Sequence, residues 1–338
     1  MKRRDFIARC LAGAGIIGIA GKLFGWNYFL AKFYPAQAAE SIACRRLVVL
    51  GDPHLPVRTR EVKSLEKQQR ILAAKREVLQ QINGWPDVDG VTVLGDVAAQ
   101  FGNAIEYDFA KAYFSGLEKP VFFIAGNHDY IYEDGFDARG HLVKGSEESK
   151  AAKLRQFQKN FGLKSLYYSR QVNAYRLLYL SPDSLLSPHL TEMSPAQLEW
   201  VRRELAAHKK EPTIVFFHAP LQDTLLPYNH TANKPDFIAQ PAERLAEIIR
   251  ANKQIVLWVS GHTHTPATNE SYANAAINTY AGQVQNIHTS DMDREVIWSN
   301  SLYLYADKIV VRTYNHAAQQ WEEALDRTIL LDKNGHMA

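Results

Sequence analysis

Five short apolar runs, each ending in polar side chains, constrain this 338-residue chain more than any other feature. They are "RLVVLGDPH", reaching Asp52 and His54; "VTVLGD", reaching Asp96; "VFFIAGNHD", reaching Asn127; "TIVFFH", reaching His218; and "QIVLWVSGHTH", reaching His262 and His264. Near-continuous Val, Ile, Leu and Phe marks a strand buried on both faces. An amide, imidazole or carboxylate at the end of such a strand needs a partner, because each is costly to bury alone. Gly51, Gly95, Gly126 and Gly261 stand before the polar residue in four of the five runs, which allows tight turns and close backbone approach.

Helical patterns fill the intervals, at 61–82, 104–116, 194–207 and 241–250. The best marked is "SPAQLEWVRRELAA": Ser194 is a natural N-cap, Pro195 suits the first turn, and Gln197 completes a capping box. Leu198, Val201 and Leu205 then share one face. Strands alternating with helices predict βαβ units and a largely parallel sheet. Ligands bind at the carboxyl ends of such strands, where all five polar tips lie and can converge. After residue 270 the pattern changes. "SLYLYADKIVVRTY" predicts a hairpin around Ala306, Asp307 and Lys308 and suggests a second sheet. Residues from about 320 read as peripheral. No Gly/Pro-rich linker divides residues 39–338, which predicts one domain.

The first 38 residues are a separate object. A basic head precedes a Gly-rich apolar stretch, Leu11 to Gly21, too short to span a bilayer alone. "PAQAAE" then offers small residues spaced for cleavage. Arg3-Arg4 followed by Phe6 resembles a twin-arginine export signal, with Lys2 where Ser or Thr usually stands. The plainer readings are an ordinary secretory signal or an uncleaved anchor. A twin-arginine signal implies the export machinery as a partner, membrane contact only through this segment, and a periplasmic or otherwise extracytoplasmic destination. Removing the segment also changes the charge. Its six basic residues against Asp5 give +5, so the whole-chain +3 leaves −2 for the remainder. A mildly acidic body argues against general nucleic-acid binding. Of the two cysteines, Cys10 lies in the segment, leaving Cys44 without an intramolecular disulfide partner after cleavage.

The converging groups are Asp52, His54, Asp96, Asn127, His218, His262 and His264, all oxygen or nitrogen donors. A structural zinc needs four ligands, typically with Cys among them. Seven hard or borderline donors suit two ions, and a carboxylate such as Asp96 can bridge them. Two-metal sites clamp displacements at phosphorus.

The ordered series D-x-H, G-D, G-N-H-D, H, G-H-x-H over roughly residues 47–265 resembles the calcineurin-like metallophosphoesterases. The resemblance implies a four-layer α/β/β/α sandwich of two packed mixed sheets flanked by helices. It implies two divalent or trivalent ions, with Asp52, His54 and His264 on the first, Asp96 bridging, and Asn127, His218 and His262 on the second. Imidazole-rich sites accept Mn, Zn, Fe or Co, so metal identity stays open. His128 is implied to face the substrate phosphate as general acid or charge stabiliser, with Asp129 orienting it. The implied activity is hydrolysis of phosphomonoesters or phosphodiesters by a metal-bound hydroxide. Purple acid phosphatases carry Tyr three residues after the bridging Asp; Ala99 stands there, so no tyrosinate ligand is expected. A nuclease on the same core and an inactive metal-binding protein are the alternatives. Histidines outside the motifs are read as exposed, with His141 and His230, alongside Tyr130 and Tyr228, as candidates for the pocket rim.

Overall fold

The apolar runs form the middle of two sheets. The computed structural model describes residues 44–228 and 231–338. The strands are β1 (Arg45–Leu50), β2 (Gly90–Leu94), β3 (Val121–Ile124), β4 (Tyr132–Phe136), β5 (Leu142–Lys144), β6 (Tyr167–Val172), β7 (Tyr175–Leu180), β8 (Thr213–Phe217), β9 (Ile255–Ser260), β10 (Thr279–Tyr280), β11 (Val284–His288), β12 (Trp298–Leu304), β13 (Lys308–Asn315), β14 (Gln320–Trp321) and β15 (Arg327–Leu330). The helices are α1 (Leu65–Gly84), α2 (Ala104–Phe114), α3 (Glu147–Phe161), α4 (Pro195–Ala207), α5 (Ala242–Ala251) and the short α6 (Ala275–Asn278).

The first sheet runs β14-β13-β12-β1-β2-β3, with β15 also on β13; the second runs β10-β11-β9-β8-β7-β6. Within them β1-β2-β3 and β7-β8-β9-β11 pair in parallel, while β12, β13, β6 and β10 pair antiparallel. Both sheets are therefore mixed. Leu47 and Val49 of β1 face Tyr179, Ile214, Phe216 and Leu257 in a core between the sheets. Val48 and Leu50 point the other way, into a core closed by Val78 of α1, Tyr107 of α2 and Phe157 of α3. Leu178 and Val215 pack outward against Leu198, Val201 and Leu205 of α4 and Leu245 and Ile249 of α5. Three cores between successive layers make an α/β/β/α sandwich, as alternating strand faces dictate.

Two expectations change. The β12–β13 hairpin forms as read, but β12 pairs with β1 and widens the first sheet instead of starting the second. The second sheet comes from residues 167–288, where β6 carries the weakest apolar pattern. Residues beyond 320 are not peripheral: β14 and β15 both pair with β13, and Arg327 and Ile329 are buried. The four predicted helices form, α1 beginning at Leu65 behind an N-cap on Ser64. Among the described residues no helix is long and apolar enough to cross a membrane. The export-signal reading falls on residues 1–38, outside the described residues. Cys44–Ala338 is one compact unit.

Candidate metal centre

Each expected ligand stands one to four residues past a strand end. Asp52 and His54 follow β1, Asp96 follows β2, Asn127 follows β3, His218 follows β8, and His262 and His264 follow β9. All are buried except His264, which is half-buried. Asp52, His54, Asp96, His262 and His264 have φ of 44°, 43°, 48°, 65° and 51°, the left-handed region that costs non-glycine residues of order 1 kcal/mol or more. The sheet ends hold five ligands in a conformation they do not prefer, which aims them inward. The glycines matter through close approach. A Cβ at Gly126 would collide with the Asp96 backbone and carboxylate, and one at Gly261 with the Asp52 carboxylate.

The ligand atoms fall into two groups sharing one residue. Those of Asp52, His54, Asp96 and His264 lie within 4.8 Å of one another, as do those of Asp96, His218 and His262. Asp96 Oδ2 lies 3.8 Å from His54 Nε2, while its Oδ1 lies 3.3 Å from His218 Nε2. One carboxylate oxygen thus faces each group. Asn127 Oδ1 lies 3.1 Å from the same His218 Nε2, and His264 Nε2 lies 3.7 Å from Asp52 Oδ1.

The second ring nitrogens fix which atom is free. A carbonyl only accepts, so a ring nitrogen bonded to one carries the proton. His54 Nδ1 lies 3.1 Å from the Ala99 carbonyl and His218 Nδ1 2.7 Å from that of Leu94, so Nε2 is the ring atom each turns inward. His262 is reversed: Nε2 meets the Asp236 carbonyl at 2.9 Å, leaving Nδ1. His54 Nε2 then faces His264 Nε2 at 3.1 Å. The inward-facing ring nitrogens, carboxylate oxygens and Asn127 Oδ1 make up a donor set of the kind that two cations take.

Electrostatics agree. Burial holds His54 well below the usual histidine value, and pushes His262 to about 3 and His264 to about 4, keeping them neutral as ligands must be. Burial also pushes the Asp52 carboxyl up. Burial opposes ionising Asp96, yet His218, His128 and His54 hold it well below the carboxylate range. Burial opposes charging His218, yet Asp96 and then Asp52 raise it to about 9. A proton on His218 thus supplies positive charge that a cation would replace.

His128 lies beside this cluster. Its N–H donates to Asp96 Oδ1 at 2.8 Å, and its ring stands 5.2 Å from the His54 ring, centroid to centroid. Asp129 does not hold that ring. Its carboxylate accepts from the N–H groups of Val97, Ala98 and Gly126 at 3.2, 2.9 and 2.8 Å, tying the loop after β2 to the end of β3. The ring is held by the Gln100 carbonyl, 3.0 Å from Nδ1. Tyr130 is buried in the core under α3 and not at the rim. Tyr228 donates to the Thr263 carbonyl at 2.9 Å and so steadies the turn carrying His262 and His264. His141 is exposed beside Asp137, and His230 lies outside the described residues.

Sequence reasoning missed several groups. Asp236 and Gln100 act through carbonyls, which no side-chain pattern reveals. Tyr132 is buried and packs its ring 5.1 Å from that of His128. Buried Lys75 donates to the carbonyls of His54 and Pro56 and to Asp293. Glu106, whose carboxylate accepts from the N–H groups of Gln100, Phe101 and Gly102, stands three residues after the N-cap Asn103, where sequence predicts a capping glutamate.

Residues 45–266 match the family model described as Calcineurin-like phosphoesterase. The chain belongs to the calcineurin-like phosphoesterase family. Membership makes it a metal-dependent phosphoester hydrolase, and its Asp, Asn and His cluster fits a two-metal centre of that family. This phosphoesterase is 28% identical over 222 residues to Glycerophosphodiester phosphodiesterase GpdQ of Enterobacter lignolyticus (strain SCF1), an alignment covering 64% of this chain and 70% of the relative. Its fold resembles a dimetal phosphatase from Danio rerio, with a TM-score of 0.56 and 16% identity over 85% of this chain and 98% of the other. It also resembles purple acid phosphatase PPD1 from yellow lupin, with a TM-score of 0.55 and 14% identity over 87% of this chain and 55% of that larger one. At such identities the two structures share the fold alone.

Proposed function

We propose that this phosphoesterase is an exported enzyme that hydrolyses phosphodiesters in preference to phosphomonoesters at a dinuclear centre. Asp52, His54 and His264 would hold the first ion, Asn127, His218 and His262 the second, and Asp96 would serve both. The division of Asp96 oxygens between the two groups is the observation that carries the reading. When bound, two cations supply charge neutralisation at the phosphate and a nucleophile at neutral pH. His128 donates the proton or positive charge that the leaving alkoxide requires.

The charge near the cluster supports a diester. Arg58 is committed to Asp293 at 3.0 Å, and Arg294 is paired with Asp291. A diester carries one negative charge, which two cations and His128 match without those guanidinium groups. The name of the 28%-identical relative, a phosphodiesterase, supports the same class. Residues 1–38 support export.

An activity panel at fixed Mn tests the reading, comparing an aryl monoester, an aryl diester, a cyclic nucleotide, a nucleotide and a phosphopeptide. The diester is expected to show the highest kcat/KM. A monoester or phosphopeptide preference would overturn the diester assignment.

A further inference from the structure

His128 takes its orientation from a stretch of irregular backbone, Gln100 to Gly102. The Gln100 carbonyl accepts from Nδ1, leaving Nε2 to exchange a proton. A loop carbonyl orients a ring only if the loop is itself fixed. Glu106, in the first turn of α2, does this. Its Oε1 accepts from Gln100 N–H at 3.0 Å, and its Oε2 from Phe101 and Gly102 N–H at 2.9 and 2.8 Å. The carboxylate is buried, and three successive N–H groups converge on it. Lys153 grips the Phe101 carbonyl from α3. Gly102, at φ 62°, lies against the Asp129 carbonyl where no Cβ fits.

A glutamate at this helix position ordinarily turns back to the N-cap N–H. Asn103 caps α2 by accepting from Glu106 N–H at 3.0 Å, but the carboxylate reaches past it into the loop. We propose that Glu106 is a positioning residue for the general acid: by clamping three N–H groups it fixes the Gln100 carbonyl, and through it the tautomer and direction of the His128 ring. The proposal rests on His128 acting as proton donor.

The test uses zinc-loaded full-length protein and aryl methyl phosphodiesters of graded leaving-group pKa, together with the imidazole nitrogen NMR spectrum of His128. Glu106→Gln is expected to lower kcat on the order of 10-fold for the poorest leaving group, with little loss for a nitrophenolate and unchanged KM. The ring donates from Nε2 as the imidazolium and is left as the neutral Nδ1–H tautomer, and in the variant the spectrum of that neutral form is expected to move from this single tautomer toward a mixture. Where that variant fails to fold, Glu106→Asp, one methylene too short to reach all three N–H groups, carries the same expectation. His128→Asn in the same series separates the two readings. If it leaves the leaving-group dependence unchanged, the proton-donor role falls, and this proposal with it. If it steepens the dependence while a folded Glu106 variant keeps the wild-type slope and tautomer, the role given to Glu106 alone is overturned.

Discussion

The Nε2 atoms of His54 and His264 face each other at 3.1 Å, while Nδ1 of His54 is committed to the Ala99 carbonyl. Both Nε2 atoms belong to the donor set that would hold the first ion, and a cation there would bind the folded state alone. Metal removal is therefore expected to lower the melting temperature, and added Zn or Mn to restore it. His264→Ala is expected to cut bound metal from two equivalents to one, and Asp96→Asn to weaken both, as read by elemental analysis after dialysis. Two ions retained by Asp96→Asn at wild-type affinity would contradict the bridging role.

His128→Asn is expected to retain both metals and lower turnover by about 10²–10⁴-fold, the usual range for a general acid. The measurement is kcat on a diester with a poor leaving group, beside metal content. Unchanged turnover would refute the role.

Gly261→Ala is expected to weaken metal binding at least about 10-fold, because the new Cβ displaces the Asp52 carboxylate. Isothermal titration with Zn reads the affinity, and denaturant unfolding of the metal-free protein shows how much of the change is stability.

Much of this centre was legible because the ligands are side chains at the ends of runs that can only be buried strands. Asp52, Asp96, Asn127, His218 and the two histidines after β9 converge as their strand-end positions require. What stayed hidden acts through backbone or across sequence distance. The Gln100 carbonyl replaces Asp129 on His128, because the Asp129 carboxylate is taken by three N–H groups. The second sheet was hidden for a related reason: β6 is half-exposed and lacks the continuous apolar run of β8.

Lys75 illustrates the hidden part. It is fully buried on α1 and holds the His54 and Pro56 carbonyls at 2.9 and 2.8 Å and Asp293 at 2.8 Å. Lys75→Met is expected to destabilise the fold by about 3–5 kcal/mol, since it strips a buried carboxylate of a partner. Urea unfolding measures it; a change within about 0.5 kcal/mol would contradict the account.

Acid sensitivity should come partly from His316. Burial pushes its imidazole down to about 3, with Nδ1 2.8 Å from Gln81 Oε1 and Nε2 2.8 Å from Ser299 Oγ. In the unfolded chain a histidine titrates near 6.5, so between those values the unfolded state binds more protons. This contribution is complete above about pH 6.5 and is lost as pH falls toward 3. His316→Gln is expected to flatten the pH dependence of urea stability in that window.

The most direct test of the central claim is to strip the protein with a chelator and titrate Mn or Zn back while following hydrolysis of bis(4-nitrophenyl) phosphate. Activity is predicted to vanish on stripping and to return, saturating at two equivalents of metal. Undiminished hydrolysis without metal, or saturation at one equivalent, would contradict a two-metal centre built around Asp96.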